Sequence, residues 1–571
     1  MAAEIAHVET VGPAEDALGH GARLLNAPVA EFDAVIVGSG INSLAAGALL
    51  AQGGWSVCIL ERNDWLGGAV KTDELTQDGF LHDVFSAWHP LWVGGAAHAQ
   101  LGDELAARGL EYLNTELPTA TLFPDGEAAF LLRTAAANAA ELDRHAAGDG
   151  DAWRRMLEEF FPVADLAFGV LGTELWSAAG LGLGTKAYRR LGRRGLAEFT
   201  GTVLTSSRDW LTTTFASDRV HGLLAPWVLH TGLGPDAAVS GFMTQVIAVA
   251  VQEGGMPIPR GGGARLVDAL VALIRDRGGV CETGAEVERV LVRNGRAVGV
   301  HTVDGQTVTA ARAVLCNVLP QALYGRLLAD AGVPEPIREG AERFRYGRSE
   351  MQIHFALSEP VRWDGDERLG QTAIVHLTPG LDGVSRAVNE AERGLLPAEP
   401  TVVVGQPLTM DASRAPAGKG LLWIQLQELP WQVKGDAAEE LETGDGTWTE
   451  ELRERYADRI QARIARHIPN LESSILQRVV LSPADLQAAN PNLHHGDPYG
   501  GSLALDQNLL WRPFPRQPGH GTPIDRLYHI GASTHPGPGL GAGSGTLVAL
   551  ELLQPPLPAR ALARARARFG R

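Results

Sequence analysis

Apolar runs that alternate with glycine-rich turns organise the N-terminal part of this chain. A β-branched run at residues 33–37 ends at Gly38 and Gly40, and an Ala/Leu-rich helical pattern follows. A second apolar run at residues 56–60 ends at Glu61. A strand, a glycine turn, a helix, a second strand and an acid in this order predict a βαβ unit that binds a nucleotide.

The rest of the chain alternates between helical and strand-like patterns. Residues 96–250 are mostly helical in pattern, whereas residues 340–480 mix strand-like runs with a helix. Helices are predicted at 138–146, 151–171, 236–253, 259–277, 449–467 and 546–553. Strands are predicted at 279–282, 286–293, 296–303, 307–309, 313–317, 351–357, 372–377, 401–406, 420–429 and 526–530.

These patterns predict an α/β fold with two interleaved domains. The assigned segments are 32–95, 256–335 and 490–556 for a Rossmann-type nucleotide-binding domain, 96–255 and 336–489 for an α+β substrate domain, 1–31 for a flexible extension, and 557–571 for a basic tail.

Composition narrows the function classes. The 571 residues are 45% hydrophobic and 20% charged, with a formal net charge of -18, so nucleic acid is not an expected partner. Cys58, Cys281 and Cys316 lie in apolar runs without the spacing of a metal site or a disulfide framework. We interpret them as reduced core residues, and we expect a cytoplasmic protein because residues 1–21 lack the features of a signal peptide.

The glycines of the first turn have separate tasks. Gly38 permits a tight turn, and Gly40 lets a pyrophosphate approach the N-terminus of a helix, where free N–H groups favour anions. Glu61 is placed to accept hydrogen bonds from a ribose diol. Ser43 stands where the fingerprint has its third glycine, and it is small enough for close packing of helix on strand.

A second glycine-rich turn lies near the C-terminal end. Residues 531–545 follow a predicted strand and open a predicted helix, so a helix N-terminus again meets a glycine loop. Such an end can stabilise negative charge on a reduced flavin. The glycine pair Gly67 and Gly68 lets the chain pass close to a bound cofactor.

Together these segments resemble the phytoene-desaturase-like FAD-dependent oxidoreductases. The resemblance is closer to the branch called phytoene dehydrogenase-related or pyridine nucleotide-disulphide oxidoreductase domain 2-like than to the carotenoid desaturases proper. It rests on VIVGSGINSLAAGALLA at 35–51, ILERNDWLGGAVKT at 59–72, MPIPRGGGARLVDAL at 256–270, GGSLALDQNLLWRP at 500–513 and LYHIGASTHPGPGLGAG at 527–543.

The resemblance implies FAD bound in an extended pose on a domain of the glutathione-reductase type. It places the pyrophosphate at the first glycine turn and the adenosine ribose at Glu61. It places the adenine at the strand of Val287 and the flavin at the C-terminal glycine loop. The implied cofactor residues are Gly38, Gly40, Asn42, Ser43, Glu61, Arg62, Gly67, Gly68, Val287, Gly531, Ala532, Leu540 and Gly541.

The chemistry expected of such an enzyme is removal of a hydride from a lipophilic, isoprenoid-like or polycyclic substrate to flavin N5. A desaturation also needs a proton acceptor, for which histidine is the first candidate at neutral pH. His89 and His535 are the main candidates, and His494, His495 and Asp497 are further ones.

Two other functions fit the same sequence. One is an amine-oxidase-like oxidation of a C–N bond, for which Trp511 and Tyr499 are candidates for an aromatic pair at the flavin. The other is a non-catalytic FAD-binding or assembly protein. Because the chain has no second nucleotide fingerprint, dioxygen or a quinone is the expected electron acceptor.

Residues 165–195 join an apolar stretch to a cationic one. Residues 166–183 are apolar and glycine-rich, and Lys186, Arg189, Arg190, Arg193 and Arg194 follow. Two interpretations remain open: a peripheral contact with an anionic membrane, or a buried helix followed by a solvated turn.

Overall fold

The computed structural model describes residues 30–554, and they build two sheets covered by helices. The predicted tail and residues 1–29 of the predicted extension lie outside the described residues. Ala30 and Glu31, which the sequence assigned to the extension, instead begin the first strand, where Ala30 pairs with Val308.

The first sheet is the predicted nucleotide-binding sheet. Its central strand Ala30–Val37 pairs in parallel with Val57–Leu60 on one side and with Thr307–Asn317 on the other. All four residues of Val57–Leu60 are buried, as expected for a parallel strand with helices on both faces. The strand order is Val287–Arg293, Arg296–Thr302, Thr307–Asn317, Ala30–Val37, Val57–Leu60, Val280–Glu282, with Leu527–Ile530 parallel to the end of Thr307–Asn317.

The second sheet is largely antiparallel. Its strands come from the two segments that the sequence assigned to the substrate domain. In order they are Ile475–Leu481, Ser349–Leu357, Gly420–Leu429, Val402–Gly405, Ile374–Leu377, Thr119–Leu122 and Ala128–Leu131. Four short pairs complete the strands: Thr72–Asp73 with His82–Asp83, Tyr112–Leu113 with Ile258–Pro259, Leu395–Leu396 with Gly435–Asp436, and Pro513–Phe514 with Gln517–Pro518.

Helices fill the connections between these strands. The α-helices are Ile41–Gln52, Pro90–Val93, Ala96–Ala106, Ala135–Asp143, Asp149–Leu171, Ala178–Leu204, Ser207–Thr214, Asp218–Leu224, Ser240–Gly254, Ala264–Asp276, Glu335–Glu342, Leu381–Glu392, Glu450–Ala465, Leu471–Ser474, Pro483–Ala489 and Gly543–Leu552. Within residues 30–554, none of the helices combines the length and the apolar character needed to cross a bilayer.

Two predicted elements differ from the structure. Residues 307–309 and 313–317 form one strand, because a register shift opposite Phe32 and Ala34 accommodates the residues between them. The interpretation of residues 165–195 as a buried helix and a solvated turn is wrong. Its cationic part belongs to the helix Ala178–Leu204, which is kinked at Gly192 and has no buried residue.

The first and last helices of the described chain pack against each other. The backbone N–H of Gly545 donates to Oδ1 of Asn42 at 3.1 Å. A Cβ atom on Gly545 would lie 1.9 Å from the carbonyl oxygen of Asn42, so only glycine allows this approach. The contact brings the C-terminal glycine loop beside the first turn.

The three cysteines are buried and unpaired, as the sequence predicts. Cys58, Cys281 and Cys316 are core residues of the parallel sheet. Burial raises the pKa of each thiol above its usual range, which makes the thiols unreactive.

Candidate active site

A cavity of about 440 Å³ is lined by residues of both sheets. One end is built by the glycine turn after Val37 and by the loop that contains Gly67 and Gly68. The other end is built by the helix Ser240–Gly254 and by strands of the second sheet. The cavity therefore connects the predicted nucleotide site with the predicted substrate domain.

Glu61 organises the first turn through its carboxylate. Its Oε2 accepts hydrogen bonds from the backbone N–H of Ser39 at 2.9 Å and from the Ser39 hydroxyl at 2.8 Å, and its Oε1 accepts from the N–H of Asn63. The Ser39 hydroxyl oxygen in turn accepts from the N–H of Gly67. Because a carboxylate has about four acceptor sites, Glu61 retains capacity for a ribose hydroxyl while it holds the turn.

The glycine pair runs directly against the start of the first helix. Gly67 and Gly68 have φ angles of +113° and +61°, which other residues rarely adopt. A Cβ atom on Gly68 would lie 3.0 Å from the Cα atom of Gly40. The first N–H groups of the helix Ile41–Gln52, which have no partner within the helix, therefore face a narrow channel suited to a pyrophosphate.

Asn317, at the carboxyl end of a parallel strand, ties three segments of the cofactor site together. Its Nδ2 donates to the hydroxyl of Ser43 at 3.0 Å, and its carbonyl oxygen accepts from Nδ2 of Asn492. A Cβ atom on Gly40 would lie 3.0 Å from Nδ2, and one on Gly531 would lie 2.2 Å from Oδ1. The glycines at 40 and 531 are thus required by this asparagine.

The end of the cavity near Val287 carries two arginines. Arg326 donates through Nη1 to the carbonyl oxygen of Val287 at 3.1 Å, and both residues line the cavity. Arg62 and Glu286 line the same end. Because Arg326 also pairs with Glu286 at 3.5 Å, this end offers an adenine mainly the backbone edge of a strand.

Comparison with known proteins decides which nucleotide binds here. Residues 44–541 match the family of flavin-containing amine oxidoreductases. The chain belongs to this family. It is therefore an FAD-dependent oxidoreductase, as the sequence predicts.

Named relatives extend over nearly the whole chain. Pyridine nucleotide-disulfide oxidoreductase domain-containing protein 2 of Mus musculus is 26% identical and covers 89% of this chain and 90% of its own. A neurosporene-forming phytoene desaturase of Rhodobacter capsulatus is 24% identical, over 88% and 90%. The structure of cyclohexylamine oxidase from Brevibacterium oxydans is similar in fold, with a TM-score of 0.54 and 16% identity, over 91% of this chain and 98% of that one.

The residues present fit FAD. A helix N-terminus, an acid, and glycines at which a Cβ atom would block the channel all face one cavity. The predicted cofactor residues that line it are Gly38, Gly40, Asn42, Glu61, Arg62, Gly67, Gly68, Val287, Ala532 and Leu540.

Three predicted cofactor residues do not line the cavity. Ser43 is fully buried beneath the first turn, where it accepts the hydrogen bond of Asn317. Gly531 lies against Asn317, and a Cβ atom on Gly541 would lie 3.1 Å from the carbonyl oxygen of Leu91. These three residues shape the site from behind its wall.

The structure places the predicted catalytic histidines away from the cavity wall. The ring of His89 is fully buried with its Nδ1 2.9 Å from the Tyr112 hydroxyl. The Nε2 atom of His535 lies 2.9 Å from the carbonyl oxygen of Val170, so this ring fixes its loop. Burial lowers the pKa of each imidazole to about 4, so both are neutral at pH 7, and neither residue lines this cavity.

The further candidates are placed similarly. His494, His495 and Asp497 do not line the cavity, whereas Tyr499 does. Asp497 is fully buried and accepts backbone hydrogen bonds from Gly347, Tyr499 and Gly501. Trp511 is 38% exposed, away from the cavity wall, so it does not form an aromatic pair with Tyr499.

Beyond the cofactor segments the cavity has an apolar wall, which we call the apolar chamber. Sequence periodicity could not separate this wall from ordinary core, because its residues come from distant helices and strands. The chamber is lined by Phe85, Trp88, Leu91, Trp227, Ile247, Ala250, Val251, Met256, Ile374 and Trp423.

One corner of the apolar chamber is polar, and no sequence pattern marks its central residue. Glu350, at the start of the strand Ser349–Leu357, lines the cavity and accepts a hydrogen bond from Nε2 of Gln425 at 2.7 Å. Beside it, Gln427 donates to the Tyr499 hydroxyl at 2.9 Å, and that hydroxyl donates to the carbonyl oxygen of Leu229 at 2.7 Å. Burial raises the pKa of Glu350 to about 8.

Proposed function

We propose that this FAD-dependent oxidoreductase removes hydrogen from an apolar substrate of the isoprenoid or polycyclic type. The observation that carries the proposal is the continuity of one cavity from the glycine-lined cofactor site into the apolar chamber. An apolar molecule in the chamber would lie next to a cofactor held by the glycine loops. Burial of its surface is worth roughly 25 cal/mol per Å².

The charge state of the chamber supports an uncharged substrate. Its titratable wall residues are His230, Glu350 and Tyr499. Burial lowers the pKa of His230 to about 4, and it raises the pKa of Glu350 to about 8 and that of Tyr499 well above its usual value. Burial therefore favours the neutral form of each of the three groups, which makes the chamber a poor environment for an alkylammonium ion.

The roles of the chain follow from this arrangement. Bound FAD supplies the hydride acceptor. The first helix and the Gly67–Gly68 backbone would hold the pyrophosphate, and Glu61 would hold the ribose. Trp88 and Trp423, with ring centroids 5.2 Å apart, line the chamber and would help to keep water from the reacting carbon. Dioxygen or a quinone serves as the electron acceptor.

The experiment that tests the proposal starts from the purified holoprotein. Its cofactor is released by denaturation and identified, and the intact protein is mixed without oxygen with phytoene in detergent micelles or with cyclohexylamine. We expect FAD to be found and phytoene to bleach its visible absorbance. Bleaching by cyclohexylamine alone would instead support oxidation of a C–N bond.

We also propose that the hairpin of Asp149–Leu171 and Ala178–Leu204 contacts an anionic membrane surface. Several of its large apolar side chains face solvent: Phe161 is 49% exposed, Trp176 62% and Leu181 76%. Its cations follow on the second helix, where Lys186 and Arg190 also pair with Asp165 of the first. Apolar anchors beside cations are the pattern of a peripheral membrane contact.

Vesicle sedimentation tests the membrane contact. We expect the protein to pellet with phosphatidylserine-containing vesicles and not with pure phosphatidylcholine. Leu181→Ser should weaken this binding, whereas Leu476→Ser, which replaces a 40% exposed leucine elsewhere on the surface, should not. Equal binding of both variants would contradict the contact.

A further inference from the structure

We propose that Glu350 is the proton acceptor of this active site, a role that rests on the proposed function. The carboxyl group lies on the wall of the apolar chamber, at the corner that connects to the cofactor segments. The connection is short, because Arg512 donates both to the carbonyl oxygen of Tyr499 at 2.9 Å and to that of Ala532 at 2.6 Å. Tyr499 and Ala532 both line the cavity.

The other titratable groups on the chamber wall are not suited to be the proton acceptor. Of those that line the chamber, His230 has its Nε2 3.2 Å from Nε2 of His376, and the Tyr499 hydroxyl is engaged by Gln427 and Leu229. Both are neutral across the physiological range. Glu350 is the chamber group that changes its protonation near neutral pH.

The surroundings of Glu350 stabilise either protonation state without fixing one. Gln425 donates to its Oε1, and the side-chain oxygen of Gln427 is buried without a hydrogen-bond partner in the structure. Burial favours the neutral form of Glu350, whereas hydrogen bonding by Gln425, Gln352 and Gln427 lowers its pKa and so favours the ionised form. A carboxyl group that can hold or release a proton against amide partners is suited to proton transfer.

The charged groups around Glu350 are few. Burial makes the largest contribution to its raised pKa, and the negative charge of Asp497 adds to it. Arg348, on the same strand, pairs instead with Glu392 at 3.1 Å and with the carbonyl oxygens of Gly232 and Leu233. No ion pair to Glu350 occurs among residues 30–554, so its ionised form is a strong base within the chamber.

The reaction step balances as follows. One substrate carbon loses a hydride, with both bonding electrons, to FAD, which is thereby reduced. The neighbouring carbon loses a proton to the carboxylate of Glu350, and the electron pair left behind forms the new double bond. The proton then passes to solvent, and dioxygen or a quinone reoxidises the flavin.

The matched control is Glu428, a fully buried carboxyl on the neighbouring strand that does not line the cavity. Its carboxylate accepts from the N–H and hydroxyl of Thr401, and burial raises its pKa to about 7. Glu350→Gln and Glu428→Gln thus remove similar groups that differ in access to the chamber.

The test combines a spectroscopic and a kinetic measurement on the holoproteins. In infrared titrations from about pH 6 to pH 10, the protonated carboxyl band that disappears around pH 8 is expected to be absent from Glu350→Gln and present in Glu428→Gln. With phytoene as the probe, the rate of anaerobic flavin bleaching should rise with pH to a plateau in wild type and Glu428→Gln. In Glu350→Gln it should fall by about 10²–10⁴-fold and lose this pH profile, whereas Glu350→Asp should retain the profile.

Two results would overturn the inference: an unchanged infrared titration in Glu350→Gln, or a bleaching rate in that variant with the wild-type pH profile. A protein without FAD, or a flavin that phytoene does not bleach in wild type, would count against the proposed function. That failure is distinct, because the infrared titration of Glu350 requires no turnover.

Discussion

At the scale of single residues, the cofactor site depends on glycines that serve different purposes. Gly68 has a φ of +61° and faces the Cα atom of Gly40 at 3.0 Å, whereas Gly54 has a φ of +83° and faces open space. Both positions strain a residue with a side chain, but only the first obstructs the channel for the pyrophosphate. Backbone strain and loss of cofactor can therefore be separated.

We predict that Gly68→Ala loses most of its bound FAD, whereas Gly54→Ala retains it. Each substitution should lower the free energy of unfolding by about 1–3 kcal/mol, because alanine is strained at a positive φ. The measurements are the flavin-to-protein absorbance ratio and thermal unfolding. Equal flavin content in the two variants would show that Gly68 does not border the cofactor.

The residue scale also shows how far the sequence could predict the site. Gly38, Gly40 and Glu61 were predictable because the two strands, the turn and the helix of a βαβ unit follow one another within a short stretch of sequence. Asn317 and Glu350 were not, since each acts on segments that lie far away along the chain. An asparagine after one apolar run and a glutamate within another carry no local pattern that distinguishes them from ordinary strand residues.

At the scale of elements, two neighbouring strands each carry a buried carboxyl group. Glu350 begins Ser349–Leu357, and Glu428 lies near the end of Gly420–Leu429. Their pKa values in the folded protein, about 8 and about 7, are raised by burial from an ordinary value of 4.5. The folded state therefore binds more protons than the unfolded state between these values.

We predict that the free energy of unfolding decreases as pH rises from about 4.5 toward about 8. Since the folded state holds the extra protons, each carboxyl contributes a slope of at most about 1.4 kcal/mol per pH unit. Replacing both with glutamine should flatten the pH dependence of thermal stability, whereas Asp330→Asn on the surface should not. An unchanged slope in the double variant would contradict the raised pKa values.

The pattern of hydrophobic and polar residues predicted some of the helices and missed one. The strands and the helices near 151–171 and 449–467 follow their periodicity. The helix Ala178–Leu204 was not predicted, because its glycines and cations resemble a turn and none of its residues is buried. With no buried stripe, a helix leaves no amphipathic pattern to be read.

At the scale of the whole molecule, the two ends of the described chain close one site. The helix Ile41–Gln52 packs against Gly543–Leu552 through the contact of Asn42 and Gly545. This contact sets the C-terminal loop, with Ala532 and Leu540, against the first turn. The fold is therefore completed by residues separated by nearly the length of the chain.

We predict that Gly545→Ala destabilises the protein by about 1–3 kcal/mol through overpacking and lowers its FAD content. The new Cβ atom would lie 1.9 Å from the carbonyl oxygen of Asn42. Gly325→Ala is the control, because a Cβ atom there would meet no atom within 4 Å. Thermal unfolding with and without added FAD measures both effects, and equal behaviour of the two variants would contradict the proposed closure.

The central claim is that a substrate in the apolar chamber reacts with FAD held in the same cavity. Ala250, on the helix Ser240–Gly254, lines that chamber and does not belong to the glycine loops of the cofactor site. The most direct test is anaerobic mixing of phytoene with the wild-type and Ala250→Trp holoproteins at equal flavin content, followed through the visible absorbance of the flavin. The flavin should bleach in wild type and remain oxidised in Ala250→Trp, in which the indole fills the chamber; equal bleaching in both would contradict the claim.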